Sequence, residues 1–88
     1  MILQRTSPRG LEFHLQWIAD DTTRVRLKNK VLDVKASLNT MSQAWYLWQM
    51  KGQHIQSAFH FLRPDEREFL ITGITPAEWK EMFKGAEE

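Results

Sequence analysis

Residues 23–38 read TRVRLKNKVLDVKASL, and the way this stretch folds decides the architecture of the chain. Read with a period of two, Val25 and Leu27 alternate with Arg24, Arg26 and Lys28. Lys28-Asn29-Lys30 then turns, and Leu32, Val34, Ala36 and Leu38 alternate with Asp33, Lys35 and Ser37. Read with a helical period, Leu27, Val31, Val34 and Leu38 form a seam that continues through Met41, Trp45 and Trp48 in three-four spacing. The first reading gives two strands; the second gives one long helix from Thr23 to Lys51. The strand reading is preferred for two reasons. β-Branched residues and the central Asn29 weaken a helix. Thr40-Met41-Ser42-Gln43 also has the form of a capping box, which opens a new helix at Thr40.

Working outward, Ile2 to Ser7 is a short strand and Ser7-Pro8-Arg9-Gly10 a turn. Leu11 to Ile18 alternates cleanly, with Leu11, Phe13, Leu15 and Trp17 facing one way and Glu12, His14 and Gln16 the other. Ala19-Asp20-Asp21-Thr22 is a polar break. Downstream, Thr40 to Lys51 is expected as a helix with Met41, Ala44, Trp45 and Trp48 on its buried face, ended by Gly52. Tyr46 and Met50 fall on other faces and are expected to be partly exposed. Ile55, Ala58, Phe59 and Leu62 give a short helix within Gln53 to Phe61.

The stretch Arg63 to Phe83 carries the clearest local signals. Pro64 suits the first helical turn and Gly73 the left-handed cap at its end. Thr75-Pro76-Ala77-Glu78 is a capping box with proline at the first helical position, and Ile74 and Trp79 are placed as a hydrophobic staple. Phe69, Leu70, Trp79, Met82 and Phe83 are expected to complete the core, and Gly85 to Glu88 to be a frayed tail. The expected fold is a single α+β domain over residues 1–88. A small N-terminal antiparallel sheet (1–38, mostly β) is followed by three to four short helices (39–84) packed on one of its faces.

Composition narrows the functional classes. At 88 residues there is room for one small core, and four tryptophans and five phenylalanines supply much of its area. The absence of cysteine excludes disulfides, thiol catalysis and cysteine-based zinc sites, and fits a reducing cytosol. No run is long enough to span a membrane and no signal peptide opens the chain, so a cytoplasmic protein is expected. The net charge of +1 hides an asymmetry: through Lys51 eight basic residues stand against four acidic ones, and from Gly52 onward four stand against seven.

Tests for chemistry come out negative. His14, His54 and His60 have no metal-ligand spacing. Asp65, Glu66 and Glu68 lie in the first turn of a helix, where the dipole favours negative charge. Ser7, Ser37, Ser42 and Ser57 have no recognisable base, and there is no phosphate-binding glycine loop. A non-enzymatic protein without cofactor, metal or small-molecule substrate is therefore expected. Two binding readings remain. Arg24, Arg26 and Lys28 on one side of a strand, with Lys30 and Lys35 nearby, could follow the phosphates of a nucleic acid; the plain alternative is a solvated sheet face. Tyr46 and Met50, with the abundant tryptophan, form a candidate protein-contact patch; the plain alternative is imperfect burial in a small domain. A structural component, such as a homo-oligomer, is a third class.

The motifs of the second half support a resemblance. Trp48, Gly52, Ile55-Gln56-Ser57-Ala58-Phe59, Arg67-Glu68-Phe69-Leu70-Ile71-Thr72-Gly73, Ile74-Thr75-Pro76-Ala77-Glu78-Trp79 and Met82-Phe83 together resemble a pattern of small bacteriophage and prophage accessory proteins. Arg5-Thr6-Ser7-Pro8 with Gly10 is similar to the opening hairpin of that group. The chain departs from the pattern at His60, where a proline often stands, at Arg63, where Ser or Thr is usual, and in a longer segment that makes residues 24–35 look like an insertion. The resemblance implies a phage-type accessory protein with a host or phage macromolecule as partner, such as an inhibitor of a host process. It implies no catalytic residues.

Overall fold

The computed structural model describes the backbone of residues 1–84 and the side chains of residues 1–82. Its elements are β1 (Ile2–Thr6), β2 (Glu12–Ala19), β3 (Thr22–Leu27), β4 (Lys30–Val34), α1 (Leu38–Gln49), α2 (Ile55–Ala58), α3 (Pro64–Thr72) and α4 (Pro76–Lys84). The four strands form one antiparallel meander in the order β1-β2-β3-β4. The period-two reading of 23–38 therefore holds and the long-helix rival does not. The deciding feature is local: Lys28 takes φ of 56° in the two-residue connection, which folds β4 back on β3 with Arg24 opposite Asp33 and Val25 opposite Leu32.

Strand alternation gives the sheet two unlike faces. Phe13, Leu15, Val25 and Val34 lie on the inner face and are at most 1% exposed. Thr23 shares that face, and its hydroxyl donates to the Ala36 carbonyl at 2.8 Å, so its buried oxygen is satisfied. The helices cover this face through connected aromatic rings. Phe13 meets Phe69 of α3 at 5.5 Å and Trp45 of α1 at 5.4 Å, and Trp45 meets Phe59 at 5.8 Å. All three are edge-on contacts, the arrangement ring quadrupoles favour. Arg67 ties the turn after α2 to α3 by donating to the Leu62 carbonyl at 2.6 Å and that of Phe59 at 3.3 Å.

Helix ends follow capping chemistry, with one shift. At α4, the Thr75 hydroxyl accepts from Glu78 N at 3.1 Å and Glu78 accepts from Thr75 N at 2.9 Å, the expected reciprocal box. Gly73 caps α3 with φ of 78° and donates to the Phe69 carbonyl at 2.9 Å. Helix α1 begins at Leu38, because Ser37 is its cap and accepts from Thr40 N at 3.0 Å. The expected start at Thr40 is thus corrected by two residues, and Ala36 and Leu38 belong to the bend and the helix, not to the strand.

Other expectations also need correction. The helix within Gln53 to Phe61 is a single turn, Ile55–Ala58. Trp17 is 48% exposed: it stands on the inner side, opposite Thr23, but at the end of the sheet where no element covers it fully. Met82 is 57% exposed, and Trp79 only half-buried. The side chain of Phe83 and the expected tail Gly85 to Glu88 lie outside the described residues.

Candidate functional site

The outer face of the sheet was the candidate for nucleic acid, and the structure divides its residues. Arg24 and Arg26 do project there together, two apart on β3. Arg24 is engaged: Nε donates to Asp33 Oδ1 at 2.9 Å and NH2 to Oδ2 at 3.2 Å, a bidentate cross-strand pair. That hydrogen bond above all, helped by the charge of Arg24, holds the Asp33 carboxyl below its ordinary value. Arg26 is exposed between His14 and Val31 in register and has no ion-pair partner among the described residues.

The remaining three cations do not join them. Lys28 sits at the hairpin tip. Lys30 belongs to the inner side, where Nζ donates to the Gly73 carbonyl at 2.9 Å and meets Glu78 Oε1 at 3.2 Å. It thereby binds the end of α3 and the start of α4 to the β3–β4 hairpin. Backbone and hydroxyl hydrogen bonds from Thr75, with Lys30, lower the Glu78 carboxyl. Lys35 lies beyond the other end of β4, about 17 Å of strand away from Lys30. A continuous basic stripe over 24–35 is therefore absent, because alternation and tertiary contacts send its members to different surfaces.

Helix α1 presents the more coherent surface. Tyr46 is 53% exposed and Met50 69% exposed, as the helical period predicts. With Asn39 and Gln43 they occupy positions spaced by four, three and four along α1, all exposed. From Ala36 to Met50 the sequence contains no charged residue, and between Asp33 and Asp65 it contains no Asp or Glu at all. A surface helix ordinarily carries charges on its solvent face. A face depleted of charge and holding Tyr and Met has the composition of an interface core. This signal was present in the sequence as a charge-free run, but its meaning depended on knowing which side of α1 meets solvent.

A concavity of about 360 Å³ adjoins this face, between β1 and α1, with Thr6, Trp45, Tyr46 and Met50 among its walls. The neighbouring edge of β1 is closed to strand addition over its second half. The Met1 carbonyl accepts from Trp17 N at 3.1 Å and Ser7 N donates to the Leu11 carbonyl at 2.8 Å, so by alternation Gln4 and Thr6 turn their carbonyls outward. The Thr6 carbonyl accepts from Trp45 Nε1 at 3.0 Å and that of Gln4 from the Arg5 guanidinium at 2.8 Å. Contacts made here rest on side chains. Among the described residues no three His, Cys, Asp or Glu gather to hold a metal ion, and no helix is long and apolar enough to cross a membrane.

No family model matches the chain, and neither curated proteins nor solved structures yield a match.

Proposed function

We propose that this chain is a non-enzymatic accessory protein of the bacteriophage type that acts in the host cytoplasm by binding another protein. The contact is made through the exposed face of α1, centred on Tyr46 and Met50, and blocks or bridges a surface of its partner. The observation that carries this reading is the exposed Tyr- and Met-bearing face of α1, whose own residues carry no charge in a chain that is 26% charged, with Lys51 Nζ 6.0 Å from the Tyr46 ring centroid at its edge. The motifs of residues 48–83 support the phage assignment. The test is affinity capture from bacterial lysate with nuclease treatment, run beside a Tyr46→Ala/Met50→Ala variant. A nuclease-resistant protein lost in the variant is expected; equal capture by both forms contradicts the assignment of the surface.

A second reading, nucleic-acid binding, is favoured by one observation: exposed Arg26 beside His14 on the outer face of the sheet. It predicts affinity that falls steeply with salt and is lost in Arg26→Ala.

A further inference from the structure

Beside the α1 face lies a trough of about 450 Å³, built where the β4–α1 connection, α1 and the segment after α2 converge. Its walls include Leu47 and Phe61, both half-buried, and its floor includes Ala44, which is 3% exposed. Phe61 is fixed by ring contacts with Phe59 at 6.0 Å and His60 at 5.5 Å. Two side chains capable of meeting an anion, Lys35 and His60, stand exposed on the rim, and no Asp or Glu among the described residues lines the trough. The volume falls in the range of sites that hold a ligand group, and an apolar wall with few polar rim groups is their usual chemistry.

Resting on the protein-binding reading above, we propose that this trough receives an apolar side chain of an acidic segment of the partner. Charge complementarity selects the occupant. The lining of the trough carries Lys35 and His60 and, among the described residues, no carboxylate, so an acidic segment meets attraction at its rim, whereas a basic one meets like charge at Lys35. The apolar anchor enters between Leu47 and Phe61, and the carboxylates beside it reach Lys35 and His60.

The test needs no knowledge of the partner. Indole-3-propionate, an aromatic ring carrying one carboxylate, is titrated into the isotopically labelled full chain and followed by amide chemical shifts. Ligand-efficiency limits set the expected dissociation constant at about 1 mM. Shifts centred on Ala44, Leu47 and Phe61 are expected. The neutral amide analogue should bind about threefold more weakly, and Lys35→Glu should weaken the carboxylate about tenfold with the rest of the spectrum unchanged. Absence of shifts at about five times that concentration, or equal binding of acid and amide, overturns the inference. Shifts confined to Tyr46 and Met50 overturn the trough and leave the α1 face standing. Decanoate binding about a hundredfold more tightly than the indole acid overturns the peptide occupant in favour of a lipid.

Discussion

Alanine at Gly73 should destabilise the chain more than alanine at Gly52, by an amount set by one contact. Both residues have positive φ, 78° and 68°. A side chain in that region costs about 1–2 kcal/mol, and the reduced freedom of the unfolded chain returns about 0.4–1 kcal/mol. These two effects are shared. At Gly52 an added Cβ meets nothing within 4 Å, whereas at Gly73 it would lie 2.8 Å from Leu27 Cδ2. Leu27 is buried, but the clash is with the end of its side chain, which places the overpacking cost near the low end of about 1–3 kcal/mol. Gly73→Ala should therefore lose about 2 kcal/mol and Gly52→Ala about 1 kcal/mol or less. Urea unfolding followed by tryptophan fluorescence measures both, and the midpoints should differ by about 1 M. Equal losses would show that α3 does not end against β3 as described, and no loss at Gly73 would refute its left-handed cap.

Further outcomes follow from the same contacts. Thr75→Ala removes the acceptor for Glu78 N and should lower stability by about 1 kcal/mol in the same urea assay, with Thr75→Ser restoring most of it. Asp33 and Glu78 both have carboxyls held below their ordinary values of 3.8 and 4.5, so the unfolded chain binds more protons in acid. Their contribution should be full above those ordinary values and fall away as pH drops through the lowered folded ones. Thermal melts from pH 6 to pH 2 should show a decline that is shallower in Arg24→Ala, which releases Asp33. The Tyr46→Ala/Met50→Ala variant should retain wild-type stability to within about 0.5 kcal/mol, because both side chains are exposed.

The sheet and the last two helices were legible because their signals are local. Alternation from Leu11 to Leu15 and the Thr75-Pro76-Ala77-Glu78 box depend on a few neighbouring residues. At the start of α1 a local signal misled: the Thr40 box marks a helix start, but Ser37, read as a strand position, is the residue that caps it. Trp17 and Met82 read as core because periodicity says which way a side chain points, not whether anything covers it there. The basic residues show the same limit. Alternation correctly placed Arg24 and Arg26 together, but the bond from Lys30 to Gly73 spans 43 residues and no pattern announces it. Tyr46 and Met50 were recognisable from helical geometry, whereas the trough joins three separate segments and is visible only in the fold.

In the proposed function, α1 is the surface that meets a partner protein. The direct measurement is site-specific photo-cross-linking in bacterial cells, with a benzophenone amino acid placed at Gln43 on that face or at Arg26 on the outer sheet. Cross-linking from Gln43 to a discrete protein, with none from Arg26, is the predicted result. Cross-linking from Arg26 to nucleic acid, with Gln43 silent, would contradict the account and move the function to the sheet.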